Sequence, residues 1–224
     1  QTLGSRIVPR HLVWFRGDLR VADNSALHAA TSPAPDAGVL GVFVISPGEW
    51  KAHDVAPVRI DLILRTLRVL SVDLAQRNIP LLIATAPTPR DVPTVLSKLA
   101  EKHRASALFF NREYEVNETL RDQAVTTAMT KLGIECRSFD DQVVLAPGSV
   151  RTQDDRPYTV FTPFKKRWAA VLNDHGGVRV LRAPKEQAPT GITPSEIPTS
   201  VEGFVSRIDP SLWPAGEHEA IKRL

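Results

Sequence analysis

Two hydrophobic periodicities alternate through the first 145 residues. His11-Leu12-Val13-Trp14-Phe15 is an apolar run of strand length, and Asn24 to Ala30 predicts a short helix after it. Val39 to Ile45 is dense in β-branched residues, the composition of a strand buried on both faces. From Pro57 to Arg77 the apolar residues Ile60, Leu62, Ile63, Leu64, Leu67, Leu70, Val72 and Leu74 recur at helical spacing. Pro57 stands near the start of that helix, where a missing backbone donor costs nothing. The alternation continues with a strand over Ile79–Ala84, carrying Pro80 near its beginning, and a helix over Asp91–His103. A strand at Ala107–Phe110, a helix at Val116–Leu132 and a strand at Ile134–Phe139 close the series. Strands alternating with helices of this length require right-handed crossovers. The expected fold class is therefore α/β: a doubly wound, mostly parallel, five-stranded Rossmann-like sheet with helices on both faces.

After Asp140 the texture changes. Val143-Val144-Leu145 is long enough for one more short strand, ended by the turn pair Pro147-Gly148. Lys165 to Leu172 predicts a helix. Ala183 to Ser200 is rich in Pro, Thr, Ser and Glu, which is linker composition without secondary structure of its own. Glu217 to Leu224 again has helical propensity. The expected organisation is a trimmed start over 1–10, an α/β domain over 11–145, an irregular linker with a short helix over 146–208, and the opening of a further domain over 209–224.

Composition narrows the function classes. Charged residues at 24% and a net charge of +3 are ordinary for a water-soluble chain, so they permit DNA as a partner without requiring it. A single cysteine, Cys136, excludes an internal disulfide and a cysteine-rich zinc site. The six histidines include no pair at ligand spacing, so no metal site is expected. Apolar runs stay at strand length, far short of a membrane span. No G-x-G-x-x-G, Walker loop or G-x-S-x-G is present, which argues against a standard dehydrogenase, a P-loop ATPase and a serine hydrolase.

Four constellations remain. Arg16-Gly17-Asp18-Leu19-Arg20 with Asp23-Asn24 follows the first strand, at the edge where open parallel sheets bind ligands. The same loop also suits an internally paired salt-bridge loop whose Asp23 or Asn24 caps the next helix. Gly48 to His53 follows the second strand, offering the flat face of Trp50 and the imidazole of His53; the plainer alternative is a surface loop with Trp50 tucked in. Asn111 to Glu118 follows the fourth strand. Asn117 and Glu118 there form a donor-acceptor pair plus an anion, suited to the amide edge of a pterin-like heterocycle, although helix capping also accounts for glutamates at this place. These three loops converge because each follows a parallel strand. The fourth constellation, Tyr158 to Trp168, interleaves aromatics with Lys165, Lys166 and Arg167. It suits either nucleic-acid contact or, more plainly, a packing stripe of Phe161, Phe164 and Trp168 facing another domain.

At these residues a resemblance emerges. His11 to Arg20 with Asp23-Asn24 resembles the opening of the photolyase/cryptochrome family. Tyr114 to Glu118 with Arg121-Asp122, Phe139-Asp140-Asp141 with Leu145 to Gly148, and Val160 to Lys165 are similar to further motifs of that family, in the same order. The resemblance is nearest to class I cyclobutane pyrimidine dimer photolyases of bacterial and fungal type. It implies an antenna-binding α/β domain, followed in the family by a linker and a helical domain holding FAD and the DNA site. His53, Asn117 and Glu118 fall on positions that hold a 5,10-methenyltetrahydrofolate antenna, with Trp50, Arg16 and Asp18 as further candidates; a deazaflavin is the alternative chromophore. No catalytic residue is expected within these residues, and Trp14, Trp50, Trp168 and Trp213 are not assigned to electron transfer. The implied activity is light-dependent repair of pyrimidine dimers in UV-damaged DNA by electron transfer from reduced FAD, with a cryptochrome-type photoreceptor as the alternative. These residues alone are expected to be inactive. A monomer without membrane attachment is expected, in the cytoplasm of a bacterium or the nucleus or mitochondrion of a eukaryote.

Overall fold

The computed structural model describes residues 10–32 and 38–224, so the expected trimmed start lies outside it apart from Arg10. Twelve elements follow in order: β1 (Arg10–Phe15), α1 (Ser25–Thr31), β2 (Val39–Ile45), α2 (Pro47–Ala52), α3 (Pro57–Ala75), β3 (Leu81–Thr85), α4 (Val92–Lys102), β4 (Ala105–Asn111), α5 (Val116–Lys131), β5 (Glu135–Phe139), α6 (Phe161–Asp174) and α7 (Glu217–Ile221). The strands form one sheet in the order β3-β2-β1-β4-β5, every pair parallel, as the alternating periodicities require.

Burial follows that order. The central strands β1, β2 and β4 carry the continuous apolar runs, whereas the edge strand β5 (Glu-Cys-Arg-Ser-Phe) has no buried residue. Successive residues of β1 serve opposite faces. Val13 and Phe15 pack with α1 and α3, and Leu12 and Trp14 pack with α4 and α5. On α3 the buried residues are Ile60, Leu64, Leu67, Leu70 and Leu74, each contributing about 2 kcal/mol of apolar burial. Gly41 in β2 makes room for this face: a Cβ there would lie 3.1 Å from both Phe15 and Leu81.

Three expectations need correction. The segment after β2 is the helix α2 and not a loop; Pro47 at its first turn favours the start, while its lack of any buried residue left no apolar stripe in the sequence. Val143-Val144-Leu145 is no strand, because the sheet ends at β5 and the two valines stand 39% and 54% exposed. Helix α6 starts at Phe161, four residues early, since Pro163 falls in its first turn, where no backbone donor is needed. Of its aromatic stripe Phe161 is 72% exposed, whereas Phe164, edge-on against Tyr158, and Trp168 are half-buried.

The Pro-rich segment has no regular structure, yet it is bonded along its course. Leu181 exchanges backbone and side-chain bonds with Asp23 (2.7 and 3.0 Å). The Gln187 side chain donates to the carbonyls of Val39 and Asn78 and accepts from the Val39 amide. Ser195 N donates to the Leu81 carbonyl, Arg68 to that of Pro198, and Arg65 to that of Trp213. Gly216, at φ 101°, presses on α3, where a Cβ would come within 2.7 Å of Val69. Glu217 then accepts from the amides of Val21 and Ala22 at 2.8 and 3.2 Å. The segment is thus a belt that opens and closes on the same loop, residues 21–23.

The closure is testable. Glu217→Ala removes two charge-assisted bonds and is expected to cost the belt about 1–2 kcal/mol. Hydrogen exchange over residues 201–217 should then speed by about tenfold, with β1 and β4 unchanged. Unaltered exchange would contradict closure through Glu217.

Candidate functional site

The carboxyl ends of the strands carry the loops singled out above. The sheet order reverses between β1 and β4, and a ligand of an open parallel sheet normally enters the crevice at such a point. Here the crevice is filled by the protein's own polar side chains. Asp18, Asn24 and Asn111 are all buried. Asn111 Nδ2 donates to Asp18 Oδ2 at 2.6 Å and to Asn24 Oδ1 at 3.0 Å, while its Oδ1 accepts from the Ala26 amide at 2.9 Å. Asn24 is the N-cap of α1, accepting from Leu27 N at 3.0 Å, and Asp18 Oδ1 accepts from the Arg16 amide at 2.8 Å. Asp18 thus turns inward to hold the start of α1.

Arg16 donates to a carboxylate through one nitrogen, while its Nη2 is buried without a hydrogen-bond partner among the described residues. Its Nη1 donates to both oxygens of Asp122 at 2.8 and 2.9 Å, and Glu113 lies 3.7 Å from its Nε. Arg121 joins the cluster, donating from Nη2 to Glu113 at 2.6 Å and to Asp122 at 3.1 Å, and from Nη1 to Glu49 at 3.3 Å. Both guanidiniums lie against the buried Trp14 ring, at 4.5 and 5.0 Å from its centre. Burial works against the charge on Arg121, but Asp122, Glu113 and Glu49 outweigh it and hold its pKa above the ordinary value. Asn24 thus caps α1, as the plainer alternative has it, but Arg16 finds its carboxylates at Glu113 and Asp122 and not within its own loop.

The expected antenna residues lie outside this lock, where α2 faces the start of α5. His53 is the exposed C-cap of α2, and its amide donates to the Glu49 carbonyl at 3.1 Å. Asn117 is exposed and Glu118 half-buried in the first turn of α5, where the helix dipole favours an anion. Burial pushes the Glu49 carboxyl up; Arg121 opposes that, and Glu118, Glu113 and His53 are close enough to act on it. Trp50 is not presented to them, because it packs edge-on against Phe204 of the belt, 6.0 Å between ring centres. A groove of about 600 Å³ also runs along α5 between Phe110, Glu113, Tyr114, Asp122, Ala146 and Pro147, and none of the expected residues lines it. There the Tyr114 hydroxyl donates to Asp140 at 3.0 Å; burial first, and that carboxylate next, push its pKa up to about 12.

Glu49, Glu113 and the partners of Arg121 and Asp122 went unassigned in the sequence. One signal was available: Asp122 shares the buried stripe of α5 with Val125 and Met129 at i, i+3, i+7 spacing. A carboxylate on an apolar stripe demands a buried cationic partner. Among the described residues no His, Cys, Asp and Glu group could hold a metal ion, and no helix is long and apolar enough to cross a membrane.

Comparison with known proteins agrees with this architecture. The family model for DNA photolyase matches residues 11–189. A deoxyribodipyrimidine photo-lyase of Salmonella typhimurium is 38% identical over 218 residues, covering 97% of this chain and 45% of the relative. A class III photolyase from Agrobacterium tumefaciens superposes with a TM-score of 0.77 at 24% identity, over all of this chain and 45% of that one. A Synechocystis cryptochrome superposes at 0.75 with 22% identity, over 92% and 42%. At those identities the two structures speak for the fold alone, and the chain spans under half the length of each of these proteins. The family model and the curated relative go further: this chain belongs to the DNA photolyase family.

Proposed function

We propose that these residues form the light-collecting part of a deoxyribodipyrimidine photo-lyase, an enzyme that uses light to reverse pyrimidine dimers in UV-damaged DNA. In this reading FAD and the DNA site belong to a helical domain outside these residues, the α/β domain spans 11–145, the linker 146–208, and the helical domain opens within 209–224. The observation that carries it is the 38% identity to a photo-lyase across 97% of the chain. The protein works as a monomer inside the cell, in contact with DNA.

The antenna is 5,10-methenyltetrahydrofolate, held where α2 meets α5. The donor set fits: the exposed His53 and Asn117 offer hydrogen bonds, and the half-buried Glu118 carboxylate suits the N–H groups of a pterin amide edge. A deazaflavin seated between β1 and β4 would instead have to displace the bonds of Asp18 to Asn111 and of Arg16 to Asp122. When bound, the folate supplies near-ultraviolet absorption and passes excitation to the flavin. The chain's own task is to hold it at the edge while keeping the sheet's crevice closed. Arg16 and Asp18 then act behind the site without touching the folate.

Two outcomes follow for the full-length, flavin-loaded protein. Near-ultraviolet or blue light should remove pyrimidine dimers from irradiated DNA, with no loss in the dark; dimers that persist in the light would favour a cryptochrome-type photoreceptor. Glu118→Ala should lower antenna absorbance per flavin, since losing a charge-assisted bond weakens binding by roughly 10- to 100-fold. Full antenna occupancy in that variant would remove Glu118 from the site.

A further inference from the structure

Helix α2 is weakly held for an element that carries a binding residue. It spans six residues, none of them buried. The Gly48 amide ties one end to the Pro87 carbonyl at 3.0 Å, and Trp50 leans on Phe204. Toward α5 its tie is the bond from Arg121 Nη1 to Glu49 Oε1 at 3.3 Å.

We propose that Arg121 is a positioning residue for the antenna, setting the gap between His53 on α2 and Asn117 and Glu118 on α5. This rests on the reading of the α2–α5 edge as the antenna site. Asn117 and Glu118 lie four and three residues before Arg121, one helical turn away on the same side of α5. The Arg121 side chain is 8% exposed, and its fork is fixed by Glu113 and Asp122. Trp14 backs its flat face. A guanidinium held on two acceptors leaves its remaining nitrogen in a defined direction, and that nitrogen points to Glu49. Glu49 in turn carries His53, because the His53 amide is bonded to the Glu49 carbonyl. A displacement of Glu49 is therefore a displacement of His53, while Glu118 stays with α5.

Arg121→Met would strand the largely buried Glu113 and Asp122 and could unfold the edge. Substitution of Glu49 tests the clamp more cleanly. The full-length, flavin-loaded protein, stripped of antenna, is titrated with 5,10-methenyltetrahydrofolate and followed by absorbance. Glu49→Leu removes the acceptor and is expected to weaken binding about tenfold, the loss of one net hydrogen bond. Glu49→Gln keeps an acceptor oxygen and is expected to stay within about threefold of wild type. Wild-type affinity in Glu49→Leu overturns the clamp, and so does equal weakening in both variants. Should the wild-type protein bind no folate, the antenna reading fails by itself. Hydrogen exchange over residues 47–53 then decides: faster exchange in Glu49→Leu but not in Glu49→Gln supports the clamp, and any other pattern overturns it.

Discussion

Arg16 and Arg121 lie on one buried indole, that of Trp14, and share one carboxylate, that of Asp122. Two guanidiniums so close together are tolerable only because Asp122, Glu113 and Glu49 surround them. Taking such ions out of water costs several kcal/mol each, repaid only where donors and acceptors meet in good geometry. Here Asp122 receives two bonds from Arg16 and two from Arg121. Removing Asp122 would leave both guanidiniums undercompensated, at a cost of about 3–5 kcal/mol. The lock joins the loop after β1, helix α2 and helix α5, three pieces of chain that leave the sheet at separate strands.

That arrangement decides where a ligand can go. Beside the lock, Asp18 and Asn111 close the crevice in which a doubly wound sheet ordinarily takes a cofactor. What remains open is the outer rim, where His53, Asn117 and Glu118 stand, and the groove along α5. The belt adds a second consequence. Its closure by Glu217 brings the chain back to the loop after β1, so α7 begins at the same carboxyl edge as the candidate site.

The sheet was legible in the sequence because its central strands are buried on both faces and leave unbroken runs such as Val39–Ile45. Helix α3 was legible because its buried leucines recur at helical spacing. What escaped had no periodic signal: α2 buries nothing, and the belt is held by isolated polar residues, Gln187, Ser195 and Glu217. Val143 and Val144 mimicked a strand, although a short apolar pair beyond the last ladder has no neighbour to pair with. At the edge, the residue types were visible but their pairings were not. Arg16 meets Asp122 across 106 residues and Asp18 meets Asn111 across 93, separations that no local pattern encodes.

The bonds of Arg16 and Asp18 close the crevice between β1 and β4, and the proposed antenna site is the rim outside it. A crystal structure of the full-length protein with flavin and 5,10-methenyltetrahydrofolate tests this most directly. Folate density is expected against His53, Asn117 and Glu118, with the Arg16–Asp122 and Asp18–Asn111 bonds intact. Folate density between β1 and β4, with those bonds broken, would contradict it.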